Sequence, residues 1–214
     1  MGNNNKPLGF YNYTVILTYI GMLSGFYGLT CCFRGHASSA VVALMVAGFC
    51  DMFDGAIAST KVRTDAEKCF GIQIDSLCDL ICFGVLPGVM TYSLNPDSAL
   101  TTAVAGLYIL CALIRLAWFN VDEQERQKTS KGGREIYLGL PVTTSALFVP
   151  VFYSLLMIWN IVPGLPMTIL LAVLGILFLT PFQLKKPHKV GKAAVVVCGV
   201  LALSLVIYSR GMIR

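Results

Sequence analysis

Hydrophobic residues in this 214-residue chain run in long blocks rather than in alternation. Seven apolar stretches can be read: 14–33, 38–60, 71–94, 98–121, 140–162, 166–182 and 191–209. Each is close to the ~20 residues an α-helix needs to cross ~30 Å of hydrocarbon. Short polar segments separate them. Those at 34–37, 95–97 and 163–166 hold one Arg between them, whereas 61–70, 122–139 and 185–189 hold most of the Lys and Arg. The pattern predicts an all-α integral membrane protein with about seven transmembrane helices. No linker is long enough for a second domain, so residues 1–214 read as one multi-pass domain. Gly21 and Gly25 form a small-xxx-small pair, which predicts close helix packing in the first span.

Composition removes the alternatives. The chain is 56% apolar and 13% charged, against roughly 45–50% and about 25% in soluble domains. That excludes a soluble globular domain, a disordered chain and a fibrous repeat. The net charge of +5 does not point to nucleic acid, because the basic residues sit in short runs between apolar stretches. Alternating the spans puts Lys6, Lys61, Arg63, Lys68, Arg126, Lys128, Lys131, Arg134, Lys185, Lys186, Lys189 and Lys192 on one face. Arg34, Arg210 and Arg214 fall on the other, with Arg115 inside a span. The positive-inside rule then makes the N-terminal face cytoplasmic and sends the C-terminus outside. The expected location is the cell (plasma or inner) membrane. Of eight cysteines, Cys50, Cys78, Cys82, Cys111 and Cys198 fall in apolar stretches and read as small hydrophobes. His36 alone beside Cys31–Cys32 does not complete a zinc site. The first apolar run is long enough to span and lacks a small-residue cleavage site, so it reads as a retained span.

The informative segment is 50–84, CDMFDGAIASTKVRTDAEKCFGIQIDSLCDLICFG. Asp51 and Asp54 fall near the cytoplasmic end of the second span, and Asp75 and Asp79 in the first turns of the third. A charge at a helix centre in a bilayer costs roughly 2.5–3.5 kcal/mol, so four in one hairpin require compensation. Asp51, Asp54, Gly55 and Ala58 share one helix face, and so do Gly71, Asp75 and Asp79. Two antiparallel neighbours bring these faces together. Unpaired, the four carboxylates would repel. Hard divalent cations, Mg²⁺, Mn²⁺ or Ca²⁺, remove the repulsion, and four carboxylates are enough to share two ions. Gly55, Ala58 and Gly71 leave room beside them for a ligand. A metal pair over a small-residue floor is suited to gripping a diphosphate and activating a hydroxyl.

This segment resembles the signature of the CDP-alcohol phosphatidyltransferase family, Asp-x-x-Asp-Gly-x-x-Ala-Arg followed by Gly-x-x-x-Asp-x-x-x-Asp. Here it stands as Asp51-Met52-Phe53-Asp54-Gly55-Ala56-Ile57-Ala58-Ser59 and Gly71-Ile72-Gln73-Ile74-Asp75-Ser76-Leu77-Cys78-Asp79. Ser59 replaces the usual Arg, and the stretch from Ser59 to Gly71 is longer than usual. Arg63 or Lys61 is the candidate replacement for the missing charge. The resemblance implies a six-helix core, a homodimer, a CDP-linked lipid substrate and two divalent cations (Mg or Mn). It also implies Asp51, Asp54, Asp75 and Asp79 as metal ligands, with Asp79 also the general base. Gly55, Ala58, Ser59, Arg63 and Gly71 would then meet the cytidine diphosphate.

Residues 111–121, 137–146 and 18–28 are similar to further signatures of the bacterial phosphatidylserine synthases in that family. This implies CDP-diacylglycerol and L-serine as substrates, with phosphatidylserine and CMP as products. Arg115 would hold the lipid phosphate or the serine carboxylate, or else snorkel to the interface or pair with a neighbouring carboxylate. Asn120 would bind the same ligand or cap its helix, and Thr143, Thr144 and Ser145 would line the acceptor cavity or pack helices. The loop 122–139 reads as a mobile cytoplasmic linker. His188, among lysines, reads as an interfacial lipid contact, and His36 as structural or inert. Glycerol 3-phosphate or inositol phosphate are the alternative acceptors. A cation-coupled transporter is the non-enzymatic alternative, although its site would sit at the midplane rather than at one rim.

Overall fold

The computed structural model describes residues 8–129, 136–185, 199 and 204–208. Helix α1 (Tyr13–Phe33) opens at Asn12, whose side-chain oxygen accepts the Thr14 N–H at 3.1 Å, an ordinary N-cap. Gly35, at φ +74°, turns the chain into α2 (Ala37–Ala58); the Gly35 and His36 N–H groups close on the carbonyls of Cys32 and Cys31. The third helix, α3 (Asp65–Asp79), passes through a widened π-type turn, Leu80–Val85, into α4 (Leu86–Leu94). Then come α5 (Ala99–Thr129), strand β1 (Ile136–Leu138), a 3₁₀ turn at Val142–Thr144, α6 (Ser145–Ile158), α7 (Gly164–Leu179) and strand β2 (Gln183–Lys185).

Among the described residues the architecture is all-α apart from one antiparallel ribbon, in which Ile136 faces Lys185 and Leu138 faces Gln183. Tyr13–Phe33, Ala37–Ala58, Asp65–Leu94 and Ala99–Glu125 are each long and apolar enough to cross a membrane; Val142–Ile158 and Gly164–Leu179 are shorter apolar helices. This is a multi-pass membrane protein. Its outer surface agrees, since Ile16, Ile20, Leu23, Phe26, Leu107 and Trp118 all point outward, a surface suited to lipid rather than water. Most of the seventh apolar stretch lies outside the described residues; 204–208 are helical, and Val206 is buried in the core.

Three spans differ from the sequence expectation. The third helix starts at Asp65 rather than near residue 71 because Thr64 and Glu67 form a capping box, each bonding the other's backbone N–H. Asp75 and Asp79 therefore lie deep in the helix rather than in its first turns. The fourth span runs on to Thr129 instead of stopping at 121, so much of the anticipated 122–139 linker is helix, and 136–138 is strand. Residues 130–135 lie outside the described set. The last of these spans stops at Leu179, and the chain beyond it turns into the ribbon.

The π-type turn has a local cause. Pro87 has no N–H to give the carbonyl of Phe83 four residues back, and its ring crowds that position. The Leu86 N–H instead reaches five residues back, to the Ile81 carbonyl. In lipid a freed carbonyl must find another donor. The Tyr108 hydroxyl donates to the Phe83 carbonyl at 2.6 Å and the Ser145 hydroxyl at 3.2 Å. The break in one helix thereby ties α5 and α6 to it. Around this knot lies the core of Leu44, Phe83, Leu86, Met90, Val149 and Phe178.

Glycines set the close approaches. A Cβ on Gly21 would lie 3.2 Å from the Cys50 Cβ, and one on Gly25 2.6 Å from the Cys82 Sγ. The small-xxx-small pair of α1 is thus the seam where it meets α2 and the π-type turn. Gly48 of α2 faces Ala146 of α6, and a Cβ there would fall 2.6 Å from the Ala146 Cβ.

Candidate active site

The hairpin of α2 and α3, with α1 laid against it, brings the aspartates together. One carboxylate oxygen each from Asp51, Asp54 and Asp75 lie within 4.8 Å of one another. Asp79, one turn further along α3, is buried and lines the same narrow cleft as the other three. That cleft has a volume of about 10 Å³, the scale of one water or one ion. Thr18, Gly21, Cys50, Cys78 and Cys82 are among the residues that form its walls, and among the described residues no basic side chain lines it. The compact donor set is entirely carboxylate oxygen, which fits a hard divalent cation and not a soft one.

Thr18 supplies something the sequence pattern did not single out. Its hydroxyl donates to Oδ2 of Asp54 at 3.0 Å, with both residues buried. The bond leaves Asp54 oriented toward Asp51 and Asp75. Position 18 is an ordinary threonine in an apolar helix, and only the packing of α1 on α2 gives it this partner.

Beside the cleft opens a cavity of about 190 Å³, lined by Thr14, Val15 and Thr18 of α1, Asp54, Gly55 and Ala58 of α2, Gly71, Ile72 and Asp75 of α3, and Arg63 from the intervening loop. The small residues expected as a floor are therefore on its wall. Asp54 and Asp75 belong to both cavities. A ligand in the larger space would thus meet both the carboxylate group and a guanidinium.

The remaining candidates divide. Arg63 lines the cavity, whereas Lys61 pairs with Glu67 at 3.0 Å. Ser59 lies at the C-terminal end of α2, exposed, and its hydroxyl donates back to the Ala56 carbonyl at 2.6 Å. It lines neither cavity. Arg115, expected to hold a phosphate or carboxylate, is also absent from both linings. It is buried and donates to the carbonyls of Leu140 and Gly139 at 3.3 and 3.4 Å. There it secures the segment entering α6, where Gly139 has φ +75°. Asn120 caps nothing, because α5 continues past it; it accepts the Ser76 hydroxyl at 2.7 Å and links α5 to α3. Ser145 and Thr144 spend their hydroxyls on the Phe83 and Pro141 carbonyls. His36 is exposed ahead of α2, and His188 lies outside the described residues.

A polytopic helical bundle whose second and third helices pool aspartates beside a small-residue cavity matches a known class. The family model for CDP-alcohol phosphatidyltransferase covers residues 11–180, and the chain belongs to that family. It is 30% identical over 154 residues to an archaetidylserine synthase of Methanothermobacter thermautotrophicus, covering 72% of this chain and 62% of that one. It is 32% identical over 141 residues to a CDP-diacylglycerol–serine O-phosphatidyltransferase of Saccharomyces cerevisiae, covering 62% and 50%. A protein of that name from Bacillus subtilis is 26% identical over 182 residues, covering 83% and 91%. The match thus spans half to three fifths of the first two relatives and most of the third.

Proposed function

We propose that this chain is a CDP-diacylglycerol–serine O-phosphatidyltransferase, which joins the phosphatidyl group of CDP-diacylglycerol to the hydroxyl of L-serine and releases CMP. The observation that carries the proposal is the convergence of Asp51, Asp54 and Asp75 within 4.8 Å, with Asp54 and Asp75 also on the wall of a cavity large enough for part of a nucleotide. Asp51, Asp54, Asp75 and Asp79 are the residues that would hold two divalent cations, Mg²⁺ or Mn²⁺. Such ions, when bound, supply charge neutralisation for the diphosphate and for the departing CMP. Gly55, Ala58 and Gly71 leave that part of the wall with little side-chain bulk, so the cytidine diphosphate lies close to the backbone there. Asp79, buried at the end of α3, takes the proton from the serine hydroxyl as its oxygen attacks the lipid-side phosphorus. The bond from that phosphorus to the CMP oxygen then breaks.

Serine is favoured over a phosphorylated alcohol by charge. Among the described residues Arg63 is the one basic residue lining the cavity, and Arg115, the other candidate cation, donates to backbone carbonyls. Glycerol 3-phosphate or inositol phosphate would bring a second anion with no such partner beside it. The names of the relatives point the same way. The active site faces the cytoplasm from the cell membrane, by the distribution of basic residues, and the working unit is a homodimer.

The test is an acceptor panel. Purified protein with CDP-diacylglycerol and Mg²⁺ is given radiolabelled L-serine, glycerol 3-phosphate or inositol phosphate, and CMP release is followed with and without EDTA. Serine-dependent CMP release that EDTA stops is the expected result. Release with another acceptor alone reassigns the substrate; no release with any acceptor removes the enzymatic reading.

A further inference from the structure

The family signature places an Arg directly after Ala58, where this chain has Ser59, yet the cavity still has a guanidinium on its wall. Nη1 of Arg63 lies 3.2 Å from the point where a Cβ on Gly71 would stand. Gly71 and Asp75 are one turn apart on α3, so Arg63 sits ~6 Å along the helix from the carboxylate group. An anion placed between them touches a cation on each side once the carboxylates carry their ions.

The loop carrying Arg63 is held mainly by one carboxylate, beside a Tyr13–Thr60 hydroxyl contact at 3.2 Å. Glu67 accepts the Lys61 Nζ at 3.0 Å, the Thr64 backbone N–H at 2.8 Å, the Thr64 hydroxyl at 3.1 Å and the Asn12 Nδ2 at 2.9 Å. Lys61 and Thr64 bracket the dipeptide Val62–Arg63. Val62 is almost fully exposed, so extended packing does not hold the loop. Its geometry comes from Glu67, which ties it to the first turn of α3 and to the N-cap of α1. Both helices contribute residues to the cavity wall.

We propose that Arg63 receives the diphosphate of the cytidine nucleotide in place of a cation at position 59, and that Glu67 is the positioning residue that aims it. This rests on the reading of the cavity as a CDP site. The longer connection between Ser59 and Gly71 then has a use: it moves the cation off the end of α2 and back over the cavity from the α3 side.

Titration calorimetry of CDP, with Mg²⁺, into the detergent-purified full chain tests this without requiring turnover. Arg63→Gln should weaken CDP binding about 10- to 100-fold, the range for loss of a charge-assisted hydrogen bond. Arg63→Lys should fall between, because a point charge replaces a fork. Ser59→Arg added to Arg63→Gln should recover part of the loss. Glu67→Gln alone should weaken CDP several-fold and add nothing in the Arg63→Gln background, whereas a merely structural role would cost the same in both. Wild-type CDP affinity in both Arg63→Gln and Arg63→Lys overturns the proposal, as does an undiminished Glu67→Gln effect without Arg63, or no recovery with Arg at 59. A wild-type chain that binds CDP through Arg63 yet releases no CMP from CDP-diacylglycerol keeps this inference and removes only the assigned reaction. One that does not bind CDP removes both.

Discussion

Replacing Thr18 by Val isolates one contact of the carboxylate group. Valine keeps the shape of the side chain and deletes the hydroxyl that donates to Asp54 Oδ2 at 3.0 Å. Thr18 and Asp54 are each 8% exposed, so water is poorly placed to replace the donor. A hydrogen bond to a charged group contributes about 1.5–3 kcal/mol, which corresponds to roughly a 10- to 150-fold change in an equilibrium constant. Loss of an outer partner of a metal-holding carboxylate costs ~10- to 100-fold in metal affinity. The two ranges agree. We expect Thr18→Val to raise the Mn²⁺ dissociation constant, measured by electron paramagnetic resonance on detergent-purified protein, by about 10- to 100-fold. The Mg²⁺ concentration that half-saturates CMP release should rise in parallel. Thr18→Ser, which restores a hydroxyl, should lie near the wild type. A Thr18→Val protein that elutes as the wild type and binds Mn²⁺ with unchanged affinity would refute the view that α1 orients this site.

Two further perturbations probe other links. Asp79→Asn keeps the size of the side chain but cannot take up the serine proton, so CMP release should fall ~10²- to 10⁴-fold while the protein still inserts and purifies; near-normal turnover would sink the assigned base. Gly48→Ala puts a Cβ 2.6 Å from that of Ala146, forcing α2 and α6 apart, and should cost about 1–3 kcal/mol, read as a lower thermal midpoint in detergent. An unshifted midpoint would contradict the close α2–α6 packing.

Legibility in the sequence followed the range of the interaction. The period of the apolar blocks and the cost of charge in lipid were enough to mark the spans and to single out Asp51, Asp54, Asp75 and Asp79, because both are properties of one helix in one solvent. The i, i+3, i+4 and i, i+4, i+8 spacings likewise place each pair on a face before any partner is known. The early start of α3 was readable in principle, since Thr64-x-x-Glu67 is a capping box. It was hidden because Lys61, Asp65 and Lys68 lower the local hydropathy and make the first turns resemble a loop.

What the folded structure decided is which partner each polar group meets. Arg115 has the composition of an anion ligand, yet lies against the Gly139 and Leu140 carbonyls. Ser59 occupies the motif position but folds back on Ala56, while Arg63 and not Lys61 reaches the cavity, because Glu67 captures the lysine. Thr18 meets Asp54 only through the glycine seam of α1. The physical reason is common to all four. A polar group bonds to whatever acceptor the folded chain brings within ~3 Å, whether a local carbonyl, as for Ser59, or a residue on another helix or segment, as for Thr18 and Arg115, and sequence spacing alone does not say which.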